Sequence, residues 1–195
     1  MRAVLIVVNP NPESFGHAIA TRLHDALVER GHDVIVHDLY AEGFRAAMSA
    51  DEHRAYESAS PVLDPMVQHH IDDIRAAQTL VFIYPTWWGS LPAMLKGWFE
   101  RVMVPGVGFV FNDENKVRPG LTNVRALVGI ATYGSPWLYI KTINDNGKRT
   151  VKRALRMSTG WRTRSEWLPL YGMDTITAEQ REAFLAKVDR LATKL

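Results

Sequence analysis

The sequence predicts a doubly wound α/β fold, a three-layer sandwich with helices on both faces of a parallel sheet of roughly five strands in the order 2-1-3-4-5. Three observations carry that expectation. Short aliphatic and β-branched runs alternate with stretches of helical periodicity, which demands parallel strands joined by right-handed crossovers. The strand candidates are apolar without interruption, as strands covered on both faces must be. Three of them end in loops rich in Pro, Gly, Ser or aromatic residues, at the strand ends where such sheets bind ligands.

Taken in order, Ala3 to Val8 is the first buried strand. The turn-rich loop Asn9 to Ser14 follows, and Ser14 is a good N-cap for a helix with Ile19, Leu23 and Leu27 on one face. Gly31 is expected as its C′ residue. Asp33 to His37 is a second strand, and Tyr40 to Pro61 reads as polar, irregular and partly helical. Pro65 to Ala77 reads as a helix with Met66, Ile71 and Ile74 inward. Leu80 to Tyr84 is a continuous apolar strand that breaks at Pro85, and Pro92 restarts the chain as a helix with Leu95, Trp98, Phe99 and Val102 on one side. Val107 to Asn112 and Lys116 to Pro119 suit a hairpin excursion. Val124 to Ala131 is another buried strand, Trp137 to Met157 is mostly helical and basic, and Thr163 to Tyr171 is a last strand whose Pro169 places it at a sheet edge or marks its end. Thr177 to Gln180 is a capping box before a final helix carrying Phe184, Val188 and Leu191. For one domain spanning 1–195, this succession matches the flavodoxin-like order. The competitor, a Rossmann half, would need Gly-x-Gly-x-x-Gly after the first strand, and Asn9 to Ser14 contains no glycine.

Composition narrows the function classes. A net charge of +2 argues neither for nucleic acid nor for membrane. The first apolar run is too short to span a membrane. With no cysteine there is no disulfide framework and no thiol chemistry, which fits a reducing cytosol, so a cytoplasmic location is expected. No Gly-x-Ser-x-Gly elbow offers a hydrolase nucleophile. His69 and His70 point apart on a helix, and no metal-ligand spacing is visible. Lys148, Arg149, Lys152, Arg153 and Arg156 recur at helical spacing: either a solvated face, or a site for the phosphates of NADPH or an acidic partner.

In the proposed strand order the loops at 9–17, 85–91 and 132–139 share one crevice. The first leads into a helix N-terminus, an anion site by geometry and dipole, or an ordinary N-cap. In the second, Trp87 and Trp88 offer a wall for a planar ring, with one of the two expected to pack into the core beneath. In the third, Gly134 lets backbone approach a ligand closely, or the segment is a plain turn. A phosphate site, a flat wall and an N–H cluster together describe a flavin pocket.

The stretch Tyr84-Pro-x-x-Trp88-x-x-x-Pro92-Ala-x-Leu-Lys-Gly-Trp-Phe-Glu-Arg-Val102 resembles the signature of the NAD(P)H:quinone oxidoreductases of flavodoxin-like fold. Asn9-Pro10-x-Pro12-x-Ser14-Phe15 is similar to that family's phosphate loop, and Asp38-Leu39-Tyr40 recurs there too. The resemblance covers roughly residues 1–140. It implies a homodimer that binds FAD, or FMN, and passes hydride from NAD(P)H to a small aromatic acceptor (a quinone, azo or nitro compound) by a ping-pong route. A subgroup of flavin-bearing ancillary subunits of potassium efflux systems is the alternative it leaves open. The resemblance puts the flavin phosphates at Ser14, Phe15 and His17, and the ring at Pro85, Thr86, Trp87, Trp88, Gly89, Thr132, Tyr133 and Gly134. It sets Tyr139, as the catalytic residue, near the flavin's C2 edge, and it makes a substrate pocket of Trp88 with Phe109 and Phe111, the aromatic pair that closes it from the other subunit. The chain departs from the pattern at Asn9 and Tyr133, and Asp145 stands near the spacing of a family histidine. The segment 41–65 is long enough to reach an adenine, which favours FAD.

Overall fold

A computed structural model of the chain describes residues 1–58 and 60–195. Its strands are β1 (Arg2–Val7), β2 (Asp33–Asp38), β3 (Thr79–Pro85), β4 (Phe109–Phe111), β5 (Val117–Pro119), β6 (Ala126–Thr132) and β7 (Arg164–Leu170). Its helices are α1 (Phe15–Val28), α2 (Ala50–Ala55), α3 (Pro65–Ala76), α4 (Ala93–Val102), α5 (Trp137–Thr142), α6 (Asn146–Arg149), α7 (Leu155–Thr159) and α8 (Ala178–Ala192), with a π turn at Thr150–Ala154. The main sheet runs β2-β1-β3-β6-β7 and is parallel throughout, the expected 2-1-3-4-5 order. The short antiparallel pair β4–β5 is the expected hairpin.

Alternation along each central strand divides the core in two. Val4, Ile6, Leu80, Phe82 and Leu127 face α3 and α4. Ala3, Leu5, Val81, Ile83, Val128 and Ile130 face α1 and α8. Each strand is therefore apolar on both faces, which is why the sequence shows unbroken runs rather than alternation. Gly129 is required by packing: a Cβ there would lie 2.2 Å from the Trp167 ring of β7. Pro169 sits on that edge strand, opposite Ala131.

Local signals held with three exceptions. Gly31 adopts a positive φ of 75°, but α1 is capped at Glu29, so the glycine lies two residues past the cap rather than one. On α3, Met66 is half-buried and Val67 takes the core position. The expected helix from Trp137 to Met157 breaks at Asn144, which has a positive φ of 64°, and widens into the π turn.

Residues 40–58 and 60–64 fold back on α4. Arg101 is buried, and its guanidinium bonds to Glu52, to Asp64 at 2.6 Å and to the Arg45 carbonyl at 2.5 Å. Gly97 permits the approach: a Cβ there would meet the Ala46 carbonyl at 2.2 Å. Burial pushes the Glu52 carboxyl up, but the Ser49 N–H and Arg101 outweigh it and hold it low; Arg101 likewise lowers Asp64. This helix leaves Ala93, Lys96 and Glu100 to solvent.

Beside it lies a histidine cluster from three segments, which no local spacing reveals. His37 turns its two ring nitrogens to Glu42 and Asp73, each at 3.0 Å, and stacks on His70 with centroids 3.8 Å apart. The three groups His37, Glu42 and His70 lie close enough to consider a metal. The Trp98 indole N–H, however, donates to His70 Nδ1 at 3.0 Å. That leaves the ring proton on Nε2, facing the Glu42 carboxylate at 3.0 Å, in the tautomer that donates rather than ligates. Burial lowers His70, in keeping with a neutral ring. Burial raises Glu42, but the two imidazoles outweigh it and bring it to about 2.

Two stability predictions follow from these contacts. Arg101→Ala should cost about 3–5 kcal/mol in urea unfolding, because two carboxylates lose their buried partner, and Arg101→Lys should recover only part, since a compact ammonium lacks the planar fork that spans the separated acceptors. A loss under about 1 kcal/mol would contradict the role given to this ion pair. The Glu42 carboxylate stabilises the fold fully above its unfolded value of about 4.3 and loses that contribution as pH falls toward its folded value. Glu42→Gln should therefore flatten the fall of the urea midpoint between about pH 5 and pH 2.

Candidate functional site

The carboxyl ends of β1, β3 and β6 lie side by side, and their loops form one edge of the sheet. After β3 the chain makes a two-residue hairpin turn. Trp87 N–H donates to the Ser90 carbonyl at 3.3 Å and Ser90 N–H returns to Trp87 at 3.0 Å. Trp88 and Gly89, the central residues, have φ of 50° and 66°, the positive pair that a type I′ turn requires. Glycine suits its place, whereas a bulky residue at positive φ costs about 1–3 kcal/mol and calls for an explanation in function. The turn drives Trp88 wholly into solvent, and Trp87 is 42% exposed. The expectation that one tryptophan packs beneath the loop is thus corrected. The turn is too tight to reach the core, which Tyr84 and Leu91 already fill.

The third loop is anchored from below. Tyr133 N–H is taken by the Leu170 carbonyl at 2.8 Å, so it does not join the expected N–H cluster. The N–H groups of Gly134 and Ser135 have no acceptor among the described residues. The Tyr133 ring is buried, stacks on Tyr171 and donates its hydroxyl to Asp145 at 2.6 Å. Burial, reinforced by that carboxylate, raises the Tyr133 hydroxyl far out of the physiological range, so it stays a donor. Asp145 also accepts from Lys148 N–H at 3.0 Å. It is a buried strut rather than a side chain facing a ligand.

A cavity of about 390 Å³ opens between these loops. Thr86, Trp88 and Gly89 line it from the second loop, Tyr133, Gly134 and Ser135 from the third, and Tyr139, Ile140, Ile143 and Asn146 from the following helices. Asn146 N–H bonds to the Gly89 carbonyl at 3.2 Å, tying the far wall to the turn. The Thr86 hydroxyl is buried beside that of Tyr133.

The first loop lies one strand over and does not line this cavity. Ser14 caps α1, and the Phe15 and Gly16 N–H groups, at the positive end of a 14-residue helix, have no acceptor among the described residues. The Ser14 hydroxyl meets His17 Nδ1 at 2.9 Å, and His17 Nε2 meets Asp38 at 2.8 Å. The Phe15 ring turns away to pack on Phe184 and Arg181, so only its backbone faces the site.

Of the sequence-predicted ring contacts, Thr86, Trp88, Gly89, Tyr133, Gly134 and Tyr139 line the cavity, and Pro85, Trp87 and Thr132 stand behind or beside it. Phe109 and Phe111 sit on the β4–β5 hairpin and do not line the cavity of their own chain. Ser135 lies within the third loop but was not among the predicted contacts, and Ile140, Ile143 and Asn146 come from the helical segments beyond the residues the resemblance marked, although Asn144-Asp145-Asn146-Gly147 is a turn-forming run.

This geometry agrees with comparisons to known proteins. The chain is 32% identical over 136 residues to an uncharacterised NAD(P)H oxidoreductase of Haemophilus influenzae, covering 69% of this chain and 65% of that protein. It is 29% identical over 153 residues to NAD(P)H dehydrogenase [quinone] 1 of rat, covering 71% of this chain and 56% of that one. The match thus spans less than two thirds of the length of these relatives. Among solved structures, an NAD(P)H:quinone oxidoreductase from Methanothermobacter marburgensis superposes with a TM-score of 0.82 at 25% identity, over 98% of this chain and 95% of that one. A family model described as a flavodoxin-like fold matches residues 1–194, and the chain belongs to that family.

Proposed function

We propose that the protein is a flavin-dependent NAD(P)H oxidoreductase acting on quinone-like, azo or nitro acceptors. The observation that carries this reading is Trp88, a wholly exposed indole held at positive φ on the lip of a cavity edged by unpaired N–H groups. Nothing in the packing of the fold rewards that placement; a flat ligand would.

The residues fit the group. The Phe15 and Gly16 N–H groups and the α1 dipole suit a flavin phosphate, with Ser14 and His17 beside them. Trp88 and Gly89 offer a flat wall, with glycine suited to its place by a φ of 66°. Gly134 and Ser135 N–H are free to donate to a ring edge that gains negative charge. When bound, the flavin supplies hydride acceptance and return. The chain's own residues bind, orient and exclude water, and Tyr139 lines the same cavity with a hydroxyl that can donate to the bound ring. One cavity serving the nicotinamide and the acceptor in turn gives a ping-pong order. Glu52 and Asp64, from the segment 41–65, are pinned on α4 by Arg101, so FAD and FMN are both compatible with this fit. A homodimer is supported by the β4–β5 hairpin, which leaves Phe111 and Val117 exposed for a second copy's site.

Purified protein should carry a flavin, identifiable as FAD or FMN by chromatography after release, and NADH or NADPH should bleach it under anaerobic conditions. A flavin that keeps its colour with either dinucleotide overturns the enzyme reading. Trp88→Ala should weaken flavin binding by about 0.5–1.5 kcal/mol, read by ultrafiltration. The urea midpoint of the apoprotein should not fall, because the lost side chain has no buried contact.

A further inference from the structure

A second cavity, of about 590 Å³, adjoins the first and shares Ile140 with it. Lys141, Lys148, Arg149, Lys152, Arg153 and Arg156 line it, with Trp137 at one side and Tyr171 at its base. The lone acid in that wall, Asp145, is buried and committed to Tyr133 and Lys148 N–H. None of the six cations has a carboxylate partner within 4.0 Å among the described residues, whereas Arg2, Arg22, Arg54, Lys96 and Arg101 all do. Arg156 keeps a buried Nε without an acceptor.

This clustering is built by the backbone. The face opposite the cations packs inward through Gly147, Val151 and Leu155, with Gly147 so close to Tyr84 that a Cβ would lie 2.9 Å from its hydroxyl. The π turn at Thr150–Ala154 interrupts the helix between Arg149 and Arg156, and single π turns gather at functional sites. Lys141 reaches the cavity from α5, across the break at Asn144. Six like charges facing one concavity repel one another, and a multiply charged anion relieves that repulsion. Trp137, half exposed with Lys141 above its ring at 5.0 Å, offers a platform for a planar base.

We infer that this cavity binds the phosphates of NADPH, above all its 2′-phosphate, and sets a preference for NADPH over NADH. The inference rests on the flavin oxidoreductase reading for its nicotinamide end. A dinucleotide with its nicotinamide in the first cavity continues past Ile140 into the second. NADH lacks the phosphate monoester that would use the full set of cations.

The test separates the two readings by probing the second cavity without flavin chemistry. Adenosine 2′,5′-bisphosphate and adenosine 5′-monophosphate are titrated into the flavin-loaded protein by calorimetry, with inorganic phosphate and heparin as controls. The bisphosphate should bind at least about tenfold more tightly than the monophosphate, the effect of roughly one charge-assisted hydrogen bond. Arg149→Gln with Arg153→Gln, both exposed positions, should abolish that preference, and should lower the NADPH-to-NADH ratio of kcat/KM by a similar factor. Equal binding of the two nucleotides overturns the inference, as does a ratio unchanged in the double variant. Heparin or phosphate binding as tight as the bisphosphate also overturns it and marks the face as an unspecific polyanion surface. A bisphosphate preference in a protein whose flavin is never bleached supports the cavity while overturning the enzyme reading, so the two fail separately.

Discussion

The hydrogen bond from Tyr133 to Asp145 holds the functional edge together. It joins the loop after β6 to the segment after the break at Asn144, and both partners are buried. Asp145 then caps α6 through Lys148 N–H, which fixes where the basic helical stretch begins. Asn146 ties the same segment to the turn at Gly89. One carboxylate therefore positions the far wall of the first cavity and the floor of the second. A buried hydroxyl–carboxylate bond suits this task because leaving either partner unpaired would carry a full desolvation cost of about 1–3 kcal/mol or more.

The energetic division of the molecule follows the same line. The sheet interior is closed by aliphatic packing on two faces, with Gly129 giving way to Trp167 and Gly97 to Ala46. Several strained or unpaired groups lie at the strand ends: Trp88 at positive φ, and the N–H groups of Phe15, Gly16, Gly134 and Ser135, which have no acceptor among the described residues. Those features lower the stability of the chain alone. They are tolerated because the two cores and the Arg101 ion pairs over-determine the scaffold.

Much of this was legible in the residues because it depends on period and punctuation. Unbroken apolar runs mark strands covered on both sides, and Ser14, Thr177 and Pro92 mark helix starts that the structure keeps. The loop Pro85 to Leu91 announced itself by composition. What the residues did not reveal depends on distance across the fold. His37, Glu42 and His70 come from three segments, and Arg101 finds Glu52 and Asp64 only once residues 40–58 and 60–64 have folded back. The break at Asn144 does carry a local mark, the turn-forming run Asn144-Asp145-Asn146-Gly147, which the basic helical spacing beyond it obscured. For Trp87 and Trp88, hydrophobicity favours burial of one indole while the two-residue turn forbids it.

The basic stretch at 148–156 shows how context changes the meaning of a charge pattern. On an isolated helix those residues would be a solvated face, the commonest fate of such spacing. Here the helix lies against Tyr84 and Leu91 through Gly147, α5 brings Lys141 opposite, and the carboxylate that could neutralise them is turned inward to Tyr133. The bond that builds the wall of the first cavity thus also removes the counter-charge from its neighbour. Placing an aromatic cavity and an unneutralised cationic one on either side of Ile140 is a direct consequence of that single inward-facing aspartate.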